Sequence, residues 1–351
     1  MREVLSRELA ARAPADLADI TCCLTLLAGA GTRWVRTLAA AKAVVATQPE
    51  DDFRRVVARF PLDAPRGLFP VRNFITEFSP RIPLAAYAVD AFRGLGKQLI
   101  VLRGWEAEIR RDIVEALGID ARRLSFCTQE LGPGGKVLGH GDAVRQARHL
   151  WRDSTYILTN FGGDANSPLT AMASLSALAA LNAAGEDVGL LLPVAEIRDP
   201  AYPVILDAEG IPRAFGHDKL GGAAGSTGTA AGIGPAGPPG ASDVGGLAYT
   251  NVGIRAYRTN ALLAAIDEIA GKYWSENSGY SIPGNDPAGH EFALDNVDAL
   301  LASRGKARIL AIARPEELTP AKSFDEIKHF EEAAGKVRAE WRQFVSARDS
   351  Q

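Results

Sequence analysis

Residues suited to metal or disulfide chemistry are scarce in this chain. Its 351 residues include 3 Cys and 5 His. Three cysteines are too few for a disulfide framework, and the histidines are too scattered for the ligand spacing of a zinc site. Cys22 and Cys23 lie inside an apolar run, where thiols act as small hydrophobic side chains. This cysteine usage fits a reducing compartment, so we expect a cytoplasmic protein.

The sequence also lacks an excess of charge of one sign. The formal net charge is −3 and the pI is about 6.0, whereas broad nucleic-acid binding would require a basic surface. Residues 1–19 carry scattered Arg and Glu without a continuous apolar core, so neither a signal peptide nor a membrane span is expected there. The expected partners are therefore small molecules, with no nucleic acid and no membrane.

Apolar runs typical of strands alternate with helical patterns along most of the chain. This order predicts an α/β fold with a mostly parallel, mixed sheet flanked by helices, and ligands at the carboxyl ends of the strands. The predicted strands are 21–27, 98–102, 124–127, 156–159, 188–194, 251–257 and 307–313, and the clearest helices are 105–117, 171–184 and 260–270.

The remaining segments complete the predicted organisation. Residues 1–20 are expected to form a leading helix, residues 21–330 the main domain, and residues 331–351 a C-terminal helical extension of a closing helix that starts near Ser323. A hairpin is predicted at 204–215. The segment 221–246 is rich in Gly, Ala and Pro, which predicts a flexible loop rather than a packed element.

A glycine loop follows the first predicted strand and carries the strongest chemical signal. The stretch Ala28–Arg33 reads Ala-Gly-Ala-Gly-Thr-Arg, and its glycines let backbone N–H groups approach a phosphate without hindrance from Cβ atoms. It matches neither the P-loop nor the dinucleotide-binding fingerprint. The guanidinium of Arg33 adds a charge suited to phosphate oxygens that become more negative during a reaction, which points to transfer chemistry.

Asp164 follows another predicted strand, behind Gly162 and Gly163. A carboxylate at a strand end is a suitable hard-oxygen ligand for Mg²⁺. The alternative is a helix N-cap for the residues from Ala165 onward, a common role for Asp.

Several blocks of residues, in a consistent order, resemble the sugar-1-phosphate nucleotidyltransferases, the pyrophosphorylases with a Rossmann-like GT-A core. The resemblance rests on the glycine loop, on Pro-Arg-Gly-Leu-Phe-Pro-Val, on a Gln followed by Gly-His-Gly-Asp-Ala-Val, on Asn-Phe-Gly-Gly-Asp and on Tyr-Thr-Asn-Val-Gly-Ile. These blocks are residues 27–33, 65–71, 129 with 139–144, 160–164 and 249–254.

The resemblance implies that a nucleoside triphosphate, with UTP the first choice, condenses with a sugar 1-phosphate to give a nucleoside-diphosphate sugar and pyrophosphate, with Mg²⁺ as cofactor. Arg33 and Arg66 would be the catalytic cations, and Asp164 the metal ligand. The implied nucleotide contacts are Ala28, Gly29, Ala30, Gly31, Thr32, Gln129 and Gly139, and the implied sugar-phosphate contacts are Asp218, Lys219, Asn251, Glu291 and Lys322. Helix capping is the alternative role for Glu291.

Some positions depart from the family pattern. The segment Trp34–Ala64 separates two blocks that are usually adjacent, and Arg66 stands where the family usually has lysine. His140 replaces a threonine beside the base. Lys322 occupies the position of a second metal ligand, which resembles the eukaryotic-type uridylyltransferring enzymes where a lysine contacts phosphate, and the alternative is a lysine that opens the last helix.

Two other functions are the alternatives, and the departures permit the second of them. One is cytidylyl-type transfer to a non-sugar phosphate such as phosphocholine. The other is a nucleotide-sugar-binding regulator that has lost catalysis on the same fold. Release of pyrophosphate distinguishes the enzymes from the regulator.

Overall fold

The computed structural model describes residues 15–27, 32–47, 51–77, 79–198, 200, 203–215, 247–283, 285 and 291–349. Three of the sequence predictions lie outside these residues. They are most of the leading helix, the central part of the glycine loop at 28–31, and the flexible loop at 221–246.

Strands occur where the apolar runs predict them, with additional short pairs between. They are β1 (Thr21–Leu26), β2 (Pro70–Arg72), β3 (Arg81–Pro83), β4 (Lys97–Leu102), β5 (Leu124–Thr128), β6 (Tyr156–Phe161), β7 (Leu190–Arg198), β8 (Val204–Leu206), β9 (Pro212–Phe215), β10 (Leu247–Asn251), β11 (Arg255–Arg258), β12 (Trp274–Ser275), β13 (Gly279–Tyr280) and β14 (Ala307–Leu310).

The helices lie between these strands. They are α1 (Thr32–Val45), α2 (Asp52–Arg59), α3 (Ala85–Ala91), α4 (Glu106–Ile109), α5 (His140–Gln146), α6 (Arg148–Trp151), α7 (Pro168–Ala183), α8 (Thr259–Tyr273), α9 (Leu294–Ser303) and α10 (Ile327–Asp349). Short 3₁₀ turns occur at Ala15–Asp19, Arg66–Leu68, Ala121–Arg123, Pro133–Gly135, Pro315–Leu318 and Phe324–Glu326. None of the helices within the described ranges is long and apolar enough to cross a membrane.

Eight strands form one mixed sheet, in the order β10-β7-β11-β6-β1-β4-β5, with β14 paired to β7. The pairs β6/β1, β1/β4, β4/β5 and β7/β14 are parallel, and β11 is antiparallel to both β6 and β7. This arrangement confirms the predicted α/β class with a mostly parallel, mixed sheet flanked by helices. The predicted hairpin is also present, as β8 and β9.

Two predicted elements differ from the structure. The run 251–257 is not one strand, because Gly253 takes a φ of +90° and separates β10 from β11. The predicted helix 105–117 begins as α4 and continues as a π-helical segment over Arg110–Glu115. In both cases the apolar periodicity continues across a change of backbone geometry. The pattern alone therefore does not reveal that change.

Alternate side chains of the central strands enter different cores. Leu99 and Val101 of β4 pack with α5, α8 and α9 on one face of the sheet, whereas Ile100 and Leu102 pack with α1, α2 and α10 on the other. This alternation follows from the two-residue period of a strand. The segment Trp34–Ala64 is therefore not a surface appendage, since it supplies α1 and α2 to the second core.

The last helix is part of the main body of the protein. Phe330 and Val337 of α10 are buried, and the position between residues 330 and 331 lies inside this one helix. Arg338 is only 2% exposed and lies 3.3 Å from the Asp90 carboxylate of α3. Its guanidinium also donates to the Tyr87 carbonyl at 2.7 Å and lies over the Tyr87 ring. A buried ion pair thus ties α10 to α3.

This ion pair gives a prediction about stability. Replacing Arg338 with alanine should lower the free energy of unfolding by roughly 3 kcal/mol, because a buried carboxylate loses one partner. Urea unfolding followed by circular dichroism measures the change. Arg342→Ala, an exposed change on the same helix, should cost about 0.5 kcal/mol. Equal losses in the two variants would show that the pair contributes nothing specific.

Candidate functional site

The carboxyl ends of β1 and β6 lie side by side and position two of the sequence blocks. Leu26 pairs with Phe161 in parallel register, and the Gly162 amide donates to the Leu26 carbonyl at 3.1 Å. The chain leaves β1 towards the glycine loop and α1, and leaves β6 towards Asp164. The ends of the glycine loop and the candidate metal ligand therefore share one edge of the sheet.

Arg66 lies against the backbone just before Asp164. It belongs to the 3₁₀ turn that precedes β2, and a Cβ atom on Gly163 would lie 2.5 Å from its guanidinium. A larger residue at 163 would displace this guanidinium from its present position. Burial lowers the pKa of Arg66, while the neighbouring Asp164 carboxylate opposes that shift. The structure thus brings Arg66 and Asp164 together.

The Asp164 carboxylate lies deep among protein atoms but stays partly accessible to solvent. Burial raises its pKa to about 6, and the positive charges of Arg66, Lys322 and Arg255 act in the opposite direction. A Cβ atom on Gly253 would overlap this carboxylate. One carboxylate therefore lies among three cations, of which Arg255 is also paired with Asp295 and Asp298.

Lys322 reaches this place on a segment that docks directly on the strand end. The Ala321 amide donates to the Gly163 carbonyl at 2.9 Å, and Lys322 itself is exposed. The backbone amides of Lys322 and Ser323 both donate to the Glu326 carboxylate. Lys322 is therefore close to Asp164 and also precedes the last helix, so the structure accommodates both interpretations of this residue.

Asn251 lies at the turn whose Gly253 meets Asp164. Its side-chain oxygen accepts from the Gly253 amide at 2.9 Å and holds the turn between β10 and β11. Asn166, two residues beyond Asp164, donates to the Val252 carbonyl at 2.8 Å from a fully buried position. These bonds fix the Asn251 turn against the loop that carries Asp164.

Gln129 and Gly139 contact each other at the end of β5. The buried Gln129 amide donates to the Gly139 carbonyl at 2.9 Å. Gly139 has a φ of +87°, and a Cβ atom there would lie 2.5 Å from the Phe292 carbonyl oxygen. The glycine is thus required by close backbone packing, whatever it contacts in a ligand.

His140, the residue in the threonine position, is held from two sides. Its Nδ1 accepts from the Leu294 amide at 2.9 Å, and its ring meets Phe161 edge-on with centroids 4.9 Å apart. Glu291 is exposed at the start of the same segment. It does not cap α9, because the N-cap is Ala293, whose amide donates to the Asn296 side chain.

Arg255 is a buried cation of the site that the sequence does not reveal. Its guanidinium donates to Asp295 and Asp298 at 2.7 Å each and lies 5.3 Å from the Phe161 ring centroid. Tyr257 donates its hydroxyl to the same Asp298. The sequence pattern gives no sign that this arginine is a buried ion-pair partner, because its two carboxylate partners lie about forty residues later, in α9.

The remaining predicted site residues are described only in part or not at all. Ala28, Gly29, Ala30, Gly31, Asp218 and Lys219 are outside the described residues. Thr32 and Arg33 begin α1, and only their backbone is described.

Asp164 is a single candidate ligand for a metal ion at the strand end. Among the residues that the structure describes, no three His, Cys, Asp or Glu side chains cluster as a metal site. Mg²⁺ in phosphate-transfer sites is often held by one or two carboxylates, with phosphate oxygens and waters as the other ligands. Asp164 supplies one such carboxylate at the strand end.

The fit between Gly253 and Asp164 is testable with a matched pair of variants. Gly253→Ala and Gly210→Ala both place a Cβ at a positive φ, +90° and +77° respectively, but only the first Cβ meets Asp164. Each should lose about 1–2 kcal/mol of stability from backbone strain. Gly253→Ala should lose more, as measured by urea unfolding, because the carboxylate must move. Similar losses would mean that Asp164 is not held against this turn.

Comparison with known proteins identifies the fold. No known protein family and no curated protein matches the sequence. Among solved structures, the chain is similar to a Bacillus anthracis protein provisionally named a glucose-1-phosphate thymidylyltransferase, which was solved with sucrose bound. The two share 10% identity over 90% of this chain and 95% of the other, with a TM-score of 0.53. This chain therefore has a nucleotidyltransferase fold.

Proposed function

We propose that this protein is a nucleotidyltransferase that joins a nucleoside triphosphate, with UTP the first choice, to a sugar 1-phosphate. The observation that carries the proposal is the meeting of Arg66, Asp164 and Lys322, which are far apart in sequence, at one edge of the sheet. The sequence assigns each of them separately to phosphate or metal binding. Their convergence supports a common site for phosphates.

The chemistry needs charge stabilisation more than proton transfer. A phosphate oxygen of the sugar 1-phosphate attacks the α-phosphorus of the triphosphate, and the bond to the β-phosphate oxygen breaks in line. Pyrophosphate takes the electron pair of that bond and leaves. The attacking oxygen is already ionised, so no general base is required, and the site has only to bring two polyanions together.

Each side chain has a role in that task. Arg66, held on Gly163, would contact phosphate oxygens, and Arg33 at the start of α1 would stabilise charge on the leaving pyrophosphate. Asp164 would hold Mg²⁺, which when bound neutralises phosphate charge and acts as a Lewis acid. Lys322 would add a second flexible cation, as in the uridylyltransferring enzymes that it resembles. Asn251 and Glu291 would meet the sugar phosphate. Such soluble, charged substrates agree with a cytoplasmic location.

The proposal is tested by incubating the full chain with Mg²⁺, each nucleoside triphosphate and a panel of sugar 1-phosphates, and then measuring pyrophosphate. We expect release that depends on both substrates and is greatest with UTP. Phosphocholine belongs in the same panel as a non-sugar acceptor. If the protein binds nucleotides but releases no pyrophosphate, the proposed enzymatic activity is wrong and a regulatory role is favoured.

Arg66 gives a prediction with an internal control. Arg66→Met should lower turnover by about a hundredfold, because a preorganised cation beside the phosphates is lost. Arg66→Lys should retain more activity, since it keeps the charge that the family usually places there while losing the planar fork. Steady-state pyrophosphate assays give the comparison. Equal activity in the wild type and Arg66→Met would remove this residue from the site.

A second prediction concerns Arg33, which lies in the first turn of α1. Arg33→Ala should reduce turnover by about a hundredfold or more with the fold intact, as expected for one lost charge donor. Arg36→Ala is the matched control, because Arg36 lies one turn later on the same helix and is exposed. Circular dichroism checks folding. A normal rate for Arg33→Ala would leave this arginine a structural role only.

A further inference from the structure

The connection between β14 and α10 touches three elements that carry the candidate site. The Ala321 amide donates to the Gly163 carbonyl just beyond the end of β6. The Phe324 amide donates to the hydroxyl of Thr37 in α1 at 2.9 Å. A third attachment, to the start of α7, is made by the side chain of Glu317. This connection carries Lys322, so these attachments determine where that lysine lies.

The Glu317 side chain that makes this attachment is buried. It is 2% exposed, and its carboxylate accepts from the Ser167 amide at 2.9 Å and from the Thr170 hydroxyl at 2.7 Å. It also accepts from the amide of Arg314, at 3.2 Å, within its own turn. Two of the three donors therefore lie at the start of α7, Ser167 as its N-cap and Thr170 in its first turn, directly after the loop that carries Asp164.

We propose that Glu317 is a positioning residue that holds the Lys322 segment against the loop after Asp164, and so sets how strongly the site holds phosphate. The second part rests on the proposed function, whereas the first part does not. Three N–H or O–H donors converge on this carboxylate, and an ionised carboxylate is the side chain that offers acceptors alone. A glutamine would turn an NH₂ group towards one of these donors and lose that bond.

A purely local role would look different. A carboxylate that only capped its own 3₁₀ turn would need the Arg314 amide and nothing from α7. The neighbouring Glu316 shows the contrast, because it pairs with Lys336 of α10 at 3.3 Å, closer to the surface. Glu316→Gln is therefore a matched control, since it makes the same chemical change one residue away.

Hydrogen exchange tests the positioning role without any assay of activity. In Glu317→Gln, the amides of Ala321 and Phe324 should exchange about tenfold faster than in the wild type and in Glu316→Gln, as expected for one lost charged hydrogen bond. Thr170→Val removes a single donor and leaves Glu317 in place, so it serves if Glu317→Gln folds poorly. Unchanged exchange of these amides in a folded variant would overturn the proposal.

A double-mutant cycle tests whether Glu317 acts through Lys322. The probe is inorganic pyrophosphate with Mg²⁺, titrated calorimetrically. Glu317→Gln and Lys322→Gln should each weaken binding about tenfold. The double variant should bind no more weakly than Lys322→Gln alone, because the two changes remove one effect. Additive losses would overturn the link between the two residues. A wild-type chain that binds no pyrophosphate would overturn the proposed function, while the exchange comparison would still decide the positioning role.

Discussion

The parallel pairing of β1 with β6 is the constraint on which the candidate site depends. Because both strands run in the same direction, their carboxyl ends meet at one edge, and the register that pairs Leu26 with Phe161 aligns the two exits. A shift of one residue would turn the side chains of β6 to the opposite face. The end of β1 would then no longer be aligned with the loop that carries Asp164. Apolar side chains on both faces support this register, since Leu24 and Ile157 are buried on one face, and Cys23 and Leu158 on the other.

Charges of both signs meet at this edge. The partly accessible carboxylate of Asp164 lies among Arg66, Lys322 and Arg255. Arg255 is paired with Asp295 and Asp298, so its part is largely to anchor the strand end, whereas Asp164 and Glu326 are the carboxylates that act on Arg66. The proposed function requires a polyanion and a divalent cation here, and Arg66, Lys322 and Asp164 are the groups that would meet them.

The C-terminal third of the chain binds these parts together. The connection that carries Lys322 is attached to β6, α7 and α1, and α10 then crosses to α3 through the Arg338–Asp90 pair. The early blocks of the sequence therefore depend on late residues for their relative positions. Long-range attachments of this kind make the site a property of the whole fold rather than of one loop.

The sequence by itself determined most strands of the main sheet, several helices and the candidate residues at strand ends, because apolar periodicity and glycine placement are local signals. It did not determine the break at Gly253, the packing of α1 and α2 into a core, or the roles of Arg255 and Glu317. Those depend on partners far away in the chain, such as Asp298 for Arg255 and Thr170 for Glu317. Only tertiary structure decides whether a charged side chain is solvated or becomes a buried anchor, because that choice rests on which donors and acceptors the fold brings within reach.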